Sequence, residues 1–447
     1  MKTYQAVIIG AGPGGYEAAL ELGRKGVNTL LIERSKERVG GTCLNEGCIP
    51  AKLYLEAASY AARAEYFRHC GIGVELSGLN IGGLKERKTA LLNEIRTGVL
   101  WMLERAKVEM LYGDARFLDP HTLEVNGEQI GFETCIIATG STFREIPGIP
   151  LDGKRIISSR ELFELETMPA SVAIVGGGAI GCECASFFAG FETKVTMIVR
   201  RPGLLPSEDE EAAKALLRAF RKRGITVLTS SAVEKAEAAE NGLTLTVGGE
   251  GAQQLTCELL LCATGRRPNL SGLELESAGV TLDGKGFVAA DETFRTVQPH
   301  IFAIGDCIDT PAYAHTAAEE GRIAARNLVG GTERNLHLTP SLIFSHPQLA
   351  GCGLSEKEAA AQERSVEVRK AYFKANSKAK IMGDDSGVAK VLIDPETKIL
   401  LGASITGVEA TEIIHELLLA IEKRLTLDEV KEMIHGHPTV SEIVRYL

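Results

Sequence analysis

One signal occurs twice in this chain, and it limits the available folds more than any other feature. An apolar stretch at residues 6–9 runs into Gly10-Ala11-Gly12-Pro13-Gly14-Gly15, then a helix-forming stretch at 16–25, then an apolar stretch at 29–32 closed by Glu33. Residues 172–175 likewise run into Gly176-Gly177-Gly178-Ala179-Ile180-Gly181, a helical stretch at 182–190 and a strand at 194–199. Each copy reads as strand, turn, helix, strand, with G-x-G-x-x-G at the turn. One such pattern alone is weak. Two, each in the strand-to-helix context, predict two dinucleotide-binding units. The first glycine permits the tight turn, the second lets a pyrophosphate approach the backbone, and the third lets helix pack on strand. The helix N-terminus offers unpaired N–H groups and partial positive charge to the phosphates.

The remaining sequence bounds the setting. A chain of 447 residues exceeds one ordinary core, so two to four domains are expected. Its net charge of −10 argues against nucleic acid as a partner. No apolar run reaches the roughly 18 residues of a membrane span. The apolar residues 6–9 run straight into glycines, so they read as a strand and not as a signal peptide. Ten cysteines without framework spacing argue against a secreted disulfide scaffold, and the cytoplasm is the expected location.

Two of those cysteines stand apart, in Gly40-Gly41-Thr42-Cys43-Leu44-Asn45-Glu46-Gly47-Cys48-Ile49-Pro50-Ala51-Lys52. A reducing compartment seldom keeps a disulfide for stability. A close pair just downstream of a nucleotide fingerprint is better read as a disulfide that opens and closes in each turnover. This segment closely resembles the redox-active disulfide of the pyridine nucleotide-disulfide oxidoreductases, the family of dihydrolipoyl dehydrogenase, glutathione reductase and mercuric reductase. The resemblance covers essentially the whole chain. It implies an α/β fold with two Rossmann-like dinucleotide-binding domains, one for FAD and one for NAD(P), plus a C-terminal α+β dimerisation domain. The expected boundaries are 1–150 for the first part of the FAD domain, 151–268 for the NAD(P) domain, 269–335 for a return to the FAD or central domain, and 336–447 for the interface domain. A long helical region is expected at 53–106. Strands at 389–393 and 399–404 and helices at 411–423 and 427–434 are expected near the C-terminus.

The resemblance also implies roles. Gly10, Gly12, Gly14, Gly15 and Glu33 would hold the adenosine half of FAD. Gly41, Thr42, Lys52, Thr139, Gly140, Gly305 and Asp306 would complete that site, with Asp306 on the ribityl chain. Gly176, Gly178, Gly181 and Gly265 would hold the nicotinamide nucleotide. The two sites differ at one informative position. Where copy one has Glu33, whose carboxylate can accept from a ribose 2′-OH, copy two has Val199, followed by Arg200 and Arg201. Two cations there suit a 2′-phosphate, so NADP(H) is favoured over NAD(H). The plain alternative is a pair of solvated arginines.

In the family, Cys48 takes electrons from the flavin and Cys43 exchanges with the substrate. Lys52 approaches the flavin and pairs with a glutamate of the second fingerprint helix, here Glu183. Exchange needs a base for the attacking thiol and an acid for the leaving sulfur, and histidine suits both. The tail His435-Gly436-His437-Pro438-Thr439-Val440-Ser441-Glu442 resembles the family motif, which makes His437 the acid-base residue and Glu442 its partner. Thr439 and Glu442 also read as a capping box. His435 is given no catalytic role. Because this tail completes the partner subunit's active site in the family, a homodimer is implied. No metal is expected. Cys70, Cys135, Cys182, Cys184, Cys257, Cys262, Cys307 and Cys352 read as small buried hydrophobes.

Gly12-Pro13-Gly14-Gly15-Tyr16, Ala314-His315-Thr316-Ala317 and Ala375-Asn376-Ser377-Lys378-Ala379-Lys380 resemble dihydrolipoyl dehydrogenases. Arg322 falls where glutathione reductases place a substrate arginine. The reading is electron transfer between NAD(P)(H) and lipoamide or dihydrolipoamide, the lipoyl group arriving free or on a separate carrier protein. The alternatives are an NADPH-dependent reductase of another small disulfide and a redox-sensing flavoprotein with little turnover.

Overall fold

The computed structural model describes residues 1–75 and 78–447. The chain forms two compact units, each assembled from three segments: Met1–Pro50, Lys85–Arg144 and Arg266–Leu336 in one, Ala51–Leu84, Glu145–Gly265 and His337–Leu447 in the other.

The first unit is built on a seven-stranded sheet. Its strands run in the order Glu109–Tyr112, Thr29–Glu33, Lys2–Ile9, Glu128–Ile137, Thr122–Val125, Ala115–Asp119, with Ile301–Ala303 paired to Glu128–Ile137. The pairs among the nucleotide-type strands are parallel, in registers such as Ile8 with Leu31 and Ile8 with Ile136. Helix cover on both faces of a parallel sheet makes such strands continuously apolar. Ala6, Val7 and Ile8 are fully buried, as are Ile136 and Ile137.

The second unit repeats this plan. Thr226–Leu228, Lys194–Ile198, Ser171–Val175, Leu259–Cys262 and Ile156–Ile157 form an all-parallel sheet in that order. Next to it in sequence is an antiparallel sheet of Ser231–Ala239, Gly242–Gly249 and Gln253–Cys257. The C-terminal part is an antiparallel sheet, in order Ser341–Ile343, Gln348–Gly353, Leu400–Gly407, Val388–Ile393, Glu367–Tyr372. The helices Ala410–Glu422 and Leu427–Glu432 close its core through Ile414, Leu417 and Val430.

The doubled motif is thus a doubled structure. In each copy the order is second strand, first strand, return strand, and each return strand ends at an Ala-Thr-Gly segment. Gly10 and Gly176 have φ of +105° and +122°, and a Cβ on them would meet the carbonyl oxygens of Ala138 and Ala263 at 2.4 and 2.2 Å. A Cβ on Gly15 or Gly181 would lie 1.8 or 2.2 Å from the oxygen of its own first glycine. Those distances exclude any side chain, which is why helix and strand can approach so closely.

The predicted helical region 53–106 is two helices, Cys48–His69 and Ile81–Arg105. Gly71, Gly73 and Gly78 lie between them, and glycine favours turns over helix interior. No helix among the described residues is long and apolar enough to cross a membrane.

Candidate active site

In the first unit the helix Pro13–Arg24 starts directly at the glycine turn, with Gly12 at its N-cap and no side-chain cap. Its first N–H groups are therefore left for a ligand. Glu33 ends the second strand, and its carboxylate folds back onto this turn. One oxygen accepts from the Ala11 N–H at 2.9 Å and the other from the Arg34 N–H at 2.7 Å. Burial pushes that carboxyl up from its ordinary value, against the pull of the two amides.

The first cysteine lies on a short helix, Gly41–Glu46, which starts against the same turn: a Cβ on Gly41 would lie 2.6 Å from the Gly12 Cα. The chain then doubles back at Gly47, where a Cβ would sit 2.9 Å from the Thr42 oxygen and 3.4 Å from the Cys43 Cα. The next residue, Cys48, opens the long helix Cys48–His69. This break between helices turns the chain at Gly47, next to Cys48, back against Cys43; both cysteines are half-buried thiols. Tyr16 lies near Cys43. Its phenol is pushed up by burial, then by the charges of Glu17 and Cys43.

Asp306 sits on a one-turn 3-10 helix, Gly305–Cys307, that follows the strand Ile301–Ala303. The Ser141 hydroxyl donates to its Oδ2 at 2.5 Å. Glu320, 1% exposed, accepts from the Gly305 N–H at 2.6 Å and fixes the turn from behind. Burial pushes the Glu320 carboxyl up to about 7. Ser141, Arg266 and Glu320 were not singled out by the sequence. The available signal was that Ser141 and Arg266 each directly follow an Ala-Thr-Gly closure.

In the second unit Lys52, one turn along the helix from Cys48, places its Nζ 2.9 and 3.0 Å from the Glu183 carboxylate oxygens. The Phe344 ring lies under the same ammonium at 4.5 Å, and the Phe344 N–H donates to Glu183 at 3.0 Å. Phe344 is a further residue the sequence did not flag. At the second glycine turn, Gly178 caps the helix Ala179–Gly190 without a side chain. Val199 is 3% exposed, and its Cγ1 lies 2.7 Å from where a Gly177 Cβ would be. In copy one the corresponding place, beside Ala11, is held by the carboxylate of Glu33. Arg200 and Arg201 are exposed. Gly265, after the return strand, has φ of +104° and open space around it.

The tail brings His437 and Glu442 together: Nδ1 lies 3.0 and 3.1 Å from the two carboxylate oxygens. The imidazole is 69% exposed, leaving its Nε2 edge outward, while the Glu442 side chain is only 9% exposed. The Thr439 N–H, at 2.9 Å, and then His437 hold the Glu442 carboxyl below its usual range. The predicted capping box is only half present. The Thr439 hydroxyl bonds to the Gly436 oxygen instead, and the last segment, Ser441–Tyr446, is 3-10 helix. His435 is buried and separately held by the Met433 carbonyl and Glu416.

One further expectation needs correction. Cys70 is exposed, because the helix ends at His69 and the residue falls in the following turn. The other seven non-motif cysteines are buried, which pushes the Cys257 thiol up to about 11 and those of Cys307 and Cys352 to about 12. The Arg322 guanidinium, partly exposed, bonds to Glu17 at 3.2 Å and Glu319 at 2.8 Å.

The family model described as pyridine nucleotide-disulphide oxidoreductase matches residues 4–321, and that of the family's dimerisation domain matches residues 339–447. The chain belongs to this family. A dihydrolipoyl dehydrogenase of Thermus scotoductus is 37% identical over 99% of this chain and 96% of its own. One from Chlamydia pneumoniae is 36% identical over 99% and 95%. Among solved structures, the HOCl-induced flavoprotein disulfide reductase RclA from Escherichia coli superposes with a TM-score of 0.89 at 30% identity, covering 99% of each chain.

The family's flavin is FAD, and the residues of the first unit fit it. The glycine turn and the Glu33 carboxylate offer donors and an acceptor to an adenosine diphosphate. The hydroxyls of Thr139 and Thr316 are buried without a hydrogen-bond partner, and each would be satisfied by a polar ligand. Gly14 and Gly305 both approach Ala317, which follows Thr316.

Proposed function

We propose that this chain is a homodimeric FAD-dependent oxidoreductase of the dihydrolipoyl dehydrogenase type, carrying electrons between NADPH and a lipoyl disulfide through Cys43 and Cys48. In this reading residues 1–150 and 269–335 hold FAD, 151–268 hold the nicotinamide nucleotide, and 336–447 form the subunit interface. Bound FAD supplies a carrier that accepts two electrons as hydride and delivers them to a disulfide. Two-electron reduction would open the Cys43–Cys48 disulfide, leaving both sulfurs as thiols, and Cys43, once deprotonated, attacks the lipoyl S–S bond as the thiolate. The mixed disulfide is resolved by Cys48, which restores the protein disulfide and releases the dithiol. His437, oriented through Nδ1 by Glu442, gives and takes the proton at the exchanging sulfur. Lys52, held by Glu183 and Phe344, supplies a positive charge on the helix that opens with Cys48.

The observation that carries the substrate class is Arg322. With its Nε on Glu17 and its Nη1 on Glu319, Arg322 is already engaged by two carboxylates and is poorly placed to take those of a peptide disulfide. An uncharged lipoamide needs no such cation. Full-length similarity to dihydrolipoyl dehydrogenases supports the same substrate. NADPH is supported by the contrast between the two nucleotide turns: Glu33 folds a carboxylate onto one, whereas Val199 fills that place in the other, with Arg200 and Arg201 exposed beside it. A 2′-phosphate there would have two cations at hand and no carboxylate at position 199 to repel it.

The test is steady-state reduction of lipoamide with NADPH and NADH in parallel. Turnover with a kcat/KM at least about tenfold higher for NADPH, a difference of ~1.4 kcal/mol, is expected. Flavin reduction without lipoamide turnover overturns the substrate assignment and favours a reductase of another small disulfide. Turnover with a clear NADH preference overturns only the nucleotide assignment.

A further inference from the structure

We propose that Ser141 and Arg266 form a relay that positions Asp306 for the ribityl chain of FAD, an inference that rests on the FAD-binding role proposed for Asp306. The two residues occupy equivalent places in the internal repeat. Ser141 follows Ala138-Thr139-Gly140, and Arg266 follows Ala263-Thr264-Gly265. The segments they open, Ser141–Phe143 and Arg266–Pro268, pair as a two-stranded antiparallel ribbon with Arg266 opposite Phe143. The exits of the two nucleotide motifs are thus tied together beside the flavin aspartate.

The hydrogen bonds have a single consistent direction. Arg266 has only donors, so its Nε–H donates to the Ser141 Oγ at 2.7 Å, and its Nη2 donates to the Ser141 carbonyl at 2.7 Å. The serine hydroxyl carries one proton, and Asp306 Oδ2 accepts it at 2.5 Å. The arginine therefore stops the hydroxyl from rotating away, and the hydroxyl fixes one carboxylate oxygen. Oδ1 remains for a ligand hydroxyl. The guanidinium itself lies over the Phe143 ring, 4.8 Å from its centroid, and its Nη2 reaches 3.5 Å from Thr42 Oγ1, next to Cys43. Lysine could supply the charge here but not the forked pair of donors in one plane.

The experiment compares FAD dissociation constants, by flavin fluorescence on reconstituting apoprotein, for Ser141→Ala, Arg266→Met, the double variant, Ser141→Thr and Asp306→Asn. Far-ultraviolet circular dichroism of each apoprotein checks that it is folded. Expected results are about a tenfold weakening for each of the first two, no further weakening in the double variant, and recovery in Ser141→Thr, because a relay fails as a unit. Additive effects of Ser141→Ala and Arg266→Met, or failure of Ser141→Thr to recover, would mean that the residues serve the ribbon and not Asp306. Unchanged binding in both single variants, alongside weak binding in Asp306→Asn, overturns the relay while sparing the reading of Asp306. Unchanged binding in Asp306→Asn overturns that reading and the relay with it.

Discussion

Replacing Arg200 and Arg201 together by alanine isolates the choice of nucleotide. Both follow the strand Lys194–Ile198 and Val199, and both are exposed. A hydrogen bond to a charged partner contributes about 1.5–3 kcal/mol, and exposure argues for the lower end of that range. Two such bonds to a 2′-phosphate are then together about 3 kcal/mol, on the order of 100-fold in kcat/KM for NADPH. NADH has no 2′-phosphate, so its kcat/KM should change by less than about threefold, the scale of surface substitutions. Initial rates of lipoamide reduction with each nucleotide give both numbers. Salt supplies an independent check, because the Debye length shrinks from about 10 Å at 0.1 M to about 3 Å at 1 M. Added salt should erode the proposed NADPH preference of the native protein and leave the variant unaffected. Equal losses with the two nucleotides, or a loss for NADPH below about threefold, would refute the argument, since exposed cations that meet no phosphate are worth little. Val199→Glu alone should not create an NADH enzyme. That side chain is 3% exposed and packed against Gly177, so a carboxylate would have to leave the space Val199 fills.

Other substitutions test the remaining parts. Glu442→Gln should lower kcat on the order of 10²-fold or more with little change in KM, because the neutral amide no longer orients and balances a protonated His437; an unchanged pH–rate profile and kcat would remove the dyad from the mechanism. Gly47→Ala should slow reoxidation of the reduced protein by lipoamide in stopped-flow experiments, since its Cβ would press on the Thr42 oxygen at 2.9 Å and shift Cys48 off Cys43. Native reoxidation rates would show that the break between the two helices is not needed. Glu320, raised to about 7 by burial, binds more protons folded than unfolded between roughly pH 4.5 and 7, so its contribution to stability falls as pH rises through that window. Glu320→Gln keeps an acceptor for the Gly305 N–H but cannot ionise. It should therefore stabilise the holoprotein relative to native at pH 8 by on the order of 3 kcal/mol more than at pH 5, read as a difference in thermal midpoints. A difference independent of pH would show that the buried carboxyl does not titrate.

The nucleotide motifs were legible because their physics is local. A turn with φ near +105°, a helix that must touch a strand, and a strand buried on both faces each restrict residue type within a few positions. Gly10, Gly15, Gly176 and Gly181 could hardly be anything else. The family resemblance supplied the remaining proposed roles, from Cys43 and Cys48 to His437. What the sequence could not supply were pairings between distant positions that share no pattern. Nothing in the chain links Ser141 to Asp306, Phe344 to Lys52 or Arg322 to Glu17; those neighbours exist only because separate segments return to one sheet or one helix face. Composition likewise could not distinguish the exposed Cys70 from seven buried cysteines, since a helix end sets its burial. Nor could it decide whether Arg322 was an open cation, because a charge acquires its meaning from what folds against it. Local backbone constraint is written in sequence, while side-chain partnership across the chain is decided by tertiary packing.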